Sequence, residues 1–152
     1  MKGALSAAEA FRDTEPNSAY ARFMTGVLYE RMGGRIDEAI TAIQSAIEAD
    51  RKNATYWAAL GSVLMTAGKY PEAGKAFDQL TVLQGETAAV WYGKGRALAE
   101  TGRYEQAIPC FEEAVKANPA DEASHSRLAA AYMAVGRYKE AAASLNTLSS
   151  QE

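Results

Sequence analysis

The feature that most constrains the fold of this chain is a spacing: the same residue types return every 34 positions. Glycines, tyrosines, alanines and tryptophans all recur at this step: Gly68, Gly102 and Gly136; Tyr70, Tyr104 and Tyr138; Ala73, Ala107 and Ala141; Trp57 and Trp91. A fixed period of this length is typical of helix–turn–helix units that bury their apolar faces against their neighbours. The period therefore predicts an all-α chain built from stacked helix pairs.

One further unit lies upstream, with one extra residue. Gly34 lies 34 residues before Gly68, whereas Gly26 lies 35 residues before Gly61. The extra residue is expected in the turn at Gly33 and Gly34, because glycine tolerates the backbone angles that an insertion demands. The segment before Pro16 has the spacing of a second helix only, so the chain begins with half a unit.

These spacings give a complete division of the chain. We predict one domain, 1–152, that consists of a half-repeat 1–17 and repeats 18–53, 54–87, 88–121 and 122–152. The predicted helices span 3–14, 18–32, 36–50, 54–67, 71–83, 87–100, 104–117, 121–135 and 138–149. Residues with side-chain oxygens stand where the first helices should begin, which favours them as N-caps: Asn17 and Ser18 before the first of these helices, and Asn53, Thr87 and Asp121 before the others.

The repeated residues resemble the tetratricopeptide repeat family. The third full repeat matches the family pattern most completely, with Trp91, Gly95, Leu98, Gly102, Tyr104, Ala107, Phe111, Ala114 and Pro119. The resemblance covers almost the whole chain and implies a right-handed superhelical solenoid of antiparallel helix pairs. Three positions depart from the pattern: Arg22 and His125 stand where Trp is expected, and Thr25 stands where Leu is expected.

In this family the first helix of each pair lines a concave groove. The resemblance therefore implies that the following residues form a peptide-binding groove: Tyr20, Phe23, Met24, Val27, Ser62, Met65, Tyr92, Arg96 and Arg127. The spacing adds support in the first pair, because the apolar stripe from Tyr20 to Val27 is separate from the core stripe. The alternative is that this pair packs differently because Arg22 replaces its Trp.

Composition limits the class of partner. The 152 residues are 48% hydrophobic, carry a net charge of −3 and show no basic stripe, so we expect no nucleic acid as a partner. No run of about 18 apolar residues is present, so we expect no direct membrane insertion. The N-terminal residues lack the apolar run of a signal peptide, and we expect a cytoplasmic location.

The sequence offers no set of residues for catalysis. His125 is the only histidine and Cys110 the only cysteine, and they fall on different predicted helices. One such pair is a poor metal site and a poor nucleophile–base pair. We therefore expect no catalytic residues, no metal and no cofactor.

The expected function is a non-catalytic protein–protein interaction scaffold, which holds a peptide or helix with an apolar segment in its groove. Members of the family that bind chaperones hold a terminal carboxylate with Lys and Asn, but those positions here carry Phe23, Val27, Ala59, Ala89 and Gly93. Two alternatives stay open at this point. The chain could form homo-oligomers through its terminal helices, or it could be a fragment of a larger multidomain protein.

Overall fold

A computed structural model describes the backbone of residues 2–149 and the side chains of residues 3–147. This part of the chain forms nine α-helices and contains no strand. The helices are α1 Lys2–Thr14, α2 Ala19–Met32, α3 Ile36–Ala49, α4 Ala54–Thr66, α5 Tyr70–Gln84, α6 Ala88–Glu100, α7 Tyr104–Ala117, α8 Glu122–Ala134 and α9 Tyr138–Ser149. The all-α prediction is confirmed, and the predicted bounds differ from the observed ones by no more than one residue.

The helices group into two compact units, Met1–Leu83 and Gln84–Glu152. In the first unit, α2 packs against α1 and α3, α3 packs against α4, and α2 also contacts α4. In the second unit, α7 packs between α6 and α8, α8 packs against α9, and α6 contacts α8. Each unit therefore has a face formed by two successive first helices. The division into one domain with the repeat boundaries given above stays a prediction.

The N-caps of four first helices follow the sequence prediction. The side-chain oxygen of each cap accepts a hydrogen bond from a backbone N–H of the first helical turn: Ser18 from Ala21, Asn53 from Thr55, Thr87 from Val90, and Asp121 from Ser124. These bonds satisfy donors that have no partner inside the helix.

The extra residue of the first repeat lies in the turn after α2. Gly33 has φ 65° and Gly34 has φ 72°, which is the left-handed region that side chains disfavour. The corresponding turns of the later repeats need only one such glycine, because Gly68, Gly102 and Gly136 have positive φ and their neighbours do not. The insertion is thus absorbed in the backbone of a single turn.

A second group of glycines allows the two helices of a pair to approach closely. A Cβ atom added to Gly61 would lie 2.8 Å from the Phe77 ring, and one added to Gly95 would lie 2.7 Å from the Phe111 ring. Phe111 is fully buried in the core of the second unit. The large residue on the second helix therefore fills the space that the missing side chain leaves.

The position at which the family has Trp carries out one structural task in three repeats. Its side chain bonds the backbone carbonyl six residues earlier, and so ties the first helix to the turn before it. The three pairs are Arg22 Nη2 to Pro16 O (2.6 Å), Trp57 Nε1 to Arg51 O (2.9 Å) and His125 Nε2 to Pro119 O (3.0 Å). Since a carbonyl only accepts, His125 bears its proton on Nε2 in this arrangement.

The departure at Thr25 is accommodated in a similar way. Thr25 is fully buried in α2, and its hydroxyl donates to the backbone carbonyl of Ala21 at 2.9 Å. A buried hydroxyl without such a bond would cost free energy. At the positions that depart from the family pattern, the polar groups of Arg22, Thr25 and His125 thus each have a backbone hydrogen-bond partner.

Candidate functional site

The exposed face of α2 and α4 in the first unit carries an aromatic cluster of three rings. The ring centroids of Phe23 and Tyr56 are 4.9 Å apart, and those of Tyr20 and Phe23 are 6.5 Å apart. Both separations lie in the range in which aromatic rings attract each other. Tyr20 is 57% exposed, Phe23 is partly buried and Tyr56 is buried. The exposure of the three rings therefore decreases from Tyr20 at the surface, through Phe23, to Tyr56 in the core.

Two further predicted residues border this cluster on α2. Met24 and Val27 are partly buried, and both lie on the helical stripe that contains Tyr20 and Phe23. The structure therefore brings four of the predicted groove residues together on one helix face.

The sequence reasoning missed Tyr56. The signal lay in its column of the repeat, because Tyr56 corresponds to Val90 and Ser124 at steps of 34, and to Ala21 at the 35-residue step. All four are buried, and Tyr56 is the largest of them. Burial raises the pKa of the Tyr56 phenol, and the nearby Asp50 carboxylate adds to this shift. The buried, neutral Tyr56 ring therefore packs beneath Phe23.

The predicted residues on α4 differ in exposure. Ser62 is exposed, whereas Met65 is only 8% exposed and so does not present an accessible side chain. Met65 lies one helical turn after Gly61, the residue at which an added Cβ would meet the Phe77 ring. Met65 therefore adds little accessible surface to this face, and its place in the groove stays a prediction.

The α6 and α8 face of the second unit is more polar. The Tyr92 ring lies 6.2 Å from the Phe111 ring, and the Arg96 guanidinium carbon lies 5.8 Å from the Tyr92 centroid. Arg127 on α8 forms an ion pair with Glu100 on α6, with 3.3 Å between Nη1 and Oε1. Tyr92, Arg96 and Arg127, the three groove residues predicted in this unit, therefore all lie on α6 and α8.

His125 and Cys110 occupy structural positions. His125 is 3% exposed, and its Nδ1 lies 3.4 Å from the Ser144 hydroxyl while Nε2 bonds Pro119. Cys110 is buried in α7, and its thiol donates to the Gln106 carbonyl. Among the described residues, no group of three His, Cys, Asp or Glu side chains is placed to hold a metal ion.

A cleft of about 460 Å³ lies between α1, α2 and α3 in the first unit. Its two arginines already have partners. Arg22 donates to the carbonyls of Pro16 and Ser45, and Arg12 forms an ion pair with Asp13. Both arginines of the cleft are therefore engaged within the chain, and neither indicates a site for an anionic ligand. Within the described part of the chain, no helix combines the length and apolar character that crossing a bilayer requires.

Comparison with known proteins agrees with the repeat geometry. One profile of the family described as "Tetratricopeptide repeat" matches residues 2–54, 30–91 and 58–122, and a second matches residues 98–152. The stacked helix pairs define a helical-repeat protein of the kind that serves as a protein-interaction scaffold. The chain belongs to the tetratricopeptide repeat family, and it folds as an all-α solenoid of that family. A search of curated protein sequences gave no match.

Solved structures share the fold at low sequence identity. A crystal structure of MamA is 21% identical, with a TM-score of 0.89 over 97% of this chain and 85% of MamA. MamA from Desulfovibrio magneticus RS-1 is 18% identical, with a TM-score of 0.92 over 98% and 84% of the two chains. YrrB, a tetratricopeptide repeat protein with an unusual peptide-binding site, is 20% identical, with a TM-score of 0.80 over 98% of this chain and 76% of YrrB.

Proposed function

We propose that this chain is a non-catalytic scaffold that holds an apolar peptide or helix of a partner protein against the face of α2 and α4. The observation that carries the proposal is the aromatic cluster. Tyr20 is 57% exposed beside Phe23, which in turn rests on the buried Tyr56. Aromatic residues that are exposed on a rigid base are the side chains that most often anchor a partner.

The cluster suits an apolar ligand for physical reasons. Complete burial of a large apolar side chain contributes about 1.5–3 kcal/mol, and covering the part of Tyr20 and Phe23 that is still exposed contributes a fraction of that. Met24 and Val27 extend the same face, and methionine adapts to ligands of different shape. Because Phe23 already packs against Tyr56, ordering its side chain on binding should cost less entropy than ordering a fully exposed one.

The similar structures support the class of function. YrrB shares the fold of this chain and has a peptide-binding site, although an unusual one. The absence of nucleic acid among the partners, the absence of catalysis and the cytoplasmic location stay predictions. The bonds of His125 with Pro119 and Ser144 support a structural rather than a catalytic role for the only histidine.

The proposal can be tested by selecting peptides from a phage-displayed random library on the immobilised chain. Enriched peptides are then synthesised with a fluorophore, and their affinities are measured by fluorescence anisotropy. Tyr20→Asp should weaken binding at least tenfold, since a carboxylate would be buried against an apolar ligand. The matched control is Tyr138→Asp, because Tyr138 is 70% exposed on α9, outside the α2 and α4 face. Equal losses for both variants would overturn the proposed site.

A second candidate function is self-association, and one observation favours it. Leu145 on α9 is 44% exposed, whereas Phe111, at the corresponding position of α7, is fully buried in a cluster that includes Leu128 and Tyr132 of α8. Among the described residues, no further helix covers Leu145 of α9 as α8 covers Phe111 of α7. The side chain of Leu148, which the sequence places on the same stripe, lies outside the described residues.

A further inference from the structure

We infer that the segment bound on the α2 and α4 face carries a basic group, a Lys or Arg side chain or a terminal amine, that pairs with the carboxylate of Glu30. This inference rests on the proposed function and specifies the chemistry of the ligand: an apolar segment that also carries a positive charge. The site lies within the first unit, because α2 and α4 both belong to it.

The position of Glu30 on α2 is the first observation. Glu30 follows Val27 by three residues and Phe23 by seven, and residues at these steps lie on one side of a helix. Phe23 is the residue whose ring packs on Tyr56 of α4. With a rise of about 1.5 Å per residue, the Cα atoms of Phe23 and Glu30 are roughly 10 Å apart along α2. The carboxylate therefore stands at the end of the apolar stripe.

The state of the Glu30 carboxylate is the second observation. It is half-buried, and burial raises its pKa, which means that the surrounding protein disfavours its charge. Among the described residues, none donates a hydrogen bond to its side chain or forms an ion pair with it. Its oxygens are still open to solvent, because the only buried side-chain atom without a partner in this part of the chain is Nε of Arg96. A ligand can therefore reach a carboxylate that lacks a counter-charge.

The cations around Glu30 are the third observation. Arg22 on α2 donates to two backbone carbonyls, and Arg35, which follows the turn after α2, forms ion pairs with two glutamates. Helix α4 contains no charged residue. Arg31 follows Glu30 in the chain, and its charge opposes the effect of burial on the Glu30 pKa without cancelling it. A basic ligand therefore complements the charge that remains on this face.

The aromatic cluster favours the same class of ligand. Tyr20 is 57% exposed, and the face of an aromatic ring attracts a cation that lies within about 6 Å of its centre. Lys and Arg also have apolar stems, which can cover a hydrophobic surface while the charged head stays near water or a carboxylate. A basic residue can thus lie along Val27 and place its charge beside Glu30.

The test uses the peptides selected on the unmodified chain. Each Lys or Arg of an enriched peptide is replaced in turn by Gln, and each peptide is also made with an acetylated N-terminus. The first change tests a side-chain cation and the second a terminal amine. Affinities are measured for the wild type, Glu30→Gln and Glu48→Gln. Glu48 is an exposed carboxylate on α3, outside the α2 and α4 face, and controls for the loss of one negative charge.

We expect one cationic group whose removal weakens binding to the wild type roughly fivefold, which lies between the usual effects of an exposed and of a buried ion pair. The same removal should have no further effect on Glu30→Gln, and Glu48→Gln should behave as the wild type. Raising the salt from about 0.1 M to about 1 M, which shortens the Debye length from about 10 Å to about 3 Å, should reduce the effect. Unfolding curves should show that Glu30→Gln remains folded.

A second measurement follows the Glu30 carboxyl itself. Its carbon NMR shift, assigned by comparison with Glu30→Gln, is titrated with acid in the free chain and in the complex. The pKa of Glu30 should fall when the peptide binds, because a neighbouring cation favours the charged form. The peptide whose cationic group has been replaced should not produce this fall.

The results that would overturn the inference have different meanings. Enriched peptides in which no cationic group affects binding, or in which it matters equally for Glu30→Gln, would contradict the role of Glu30 alone. A Glu30 pKa that is unchanged or raised in the complex would do the same. Failure to enrich any peptide would contradict the proposed function and this inference with it.

Discussion

The hydroxyl of Tyr132 donates a hydrogen bond to the carboxylate of Glu112 on the neighbouring helix α7. The Arg137 guanidinium carbon lies 4.6 Å from the Tyr132 ring centroid, and Arg137 is paired with Glu140. The corresponding residues near the start of the chain have the same arrangement. The Tyr29 hydroxyl donates to the Glu9 carboxylate. The Arg35 guanidinium lies over the Tyr29 ring, and Arg35 forms an ion pair with Glu38. The two middle repeats have Leu64 and Leu98 at the tyrosine position.

This bond predicts a loss of stability in alkali. Burial and the bond to Glu112 raise the pKa of Tyr132 to about 12. The unfolded phenol has a pKa of about 10, so the folded state favours the neutral form. The neutral phenol of Tyr132 therefore adds to the free energy of unfolding. This contribution is fully present below about pH 10 and is lost as the pH rises towards about 12. Urea unfolding of the wild type and of Tyr132→Phe should therefore differ less as the pH rises through this window.

The control for that experiment is Tyr138→Phe, which removes a phenol from a ring that is 70% exposed on α9. A difference between wild type and Tyr132→Phe that stays constant across the window would show that the Tyr132 proton does not contribute.

The bond between Trp57 and the Arg51 carbonyl can be tested by a substitution that keeps an aromatic ring. Trp57→Phe removes the N–H donor and should lower the free energy of unfolding by about 0.5–1.5 kcal/mol, the usual net value of a hydrogen bond. Trp91→Phe is the matched control, since no corresponding bond is found for Trp91 among the described residues. Denaturant midpoints of the two variants give the comparison, and equal losses would contradict a role for the donor.

Replacing glycine by alanine should have opposite effects on stability at Gly95 and at Gly74, because only Gly95 lies close to another side chain. Gly95→Ala places a Cβ 2.7 Å from the Phe111 ring and should destabilise the chain by about 1–3 kcal/mol, as overpacking does. Gly74 lies in α5 with nothing within 4 Å of an added Cβ, and Gly74→Ala should stabilise the chain by about 0.4–1 kcal/mol. Thermal unfolding of both variants measures the signs, and a stabilised Gly95→Ala would contradict the packing described.

Self-association and partner binding predict different responses at the two ends of the chain. If α9 mediates association, Leu145→Asp should shift the concentration dependence of sedimentation towards the monomer, because a charge would enter an apolar interface. Phe23→Asp should leave sedimentation unchanged, although it will also remove the ring contact with Tyr56. Tyr20→Asp is therefore the cleaner variant for the binding assay. Wild-type chain that stays monomeric at all concentrations would exclude the α9 interface.

The sequence predicted most of the fold because its signals are local. Turn glycines and cap residues fix the ends of helices, and a 34-residue step fixes which faces pack. Contacts between side chains of different helices were harder to predict. Phe23 on Tyr56 and Tyr132 on Glu112 each join a helix to its neighbour, and neither pair recurs in every repeat. The burial of Met65 was missed because the groove positions were transferred from the family pattern, which does not say how much of each side chain is covered.

The bonds of Arg22, Trp57 and His125 have a consequence for the recognition of such repeats in other genomes. What recurs at this position is a nitrogen that can donate to the carbonyl six residues upstream, and an indole is only one way to supply it. A search pattern that requires Trp would pass over the first and last units of this chain. A better pattern accepts Arg or His as well as Trp at this position. It also makes the glycine four residues later optional, since Ala129 stands there in the last repeat. Such a pattern would detect more of the repeats in divergent sequences.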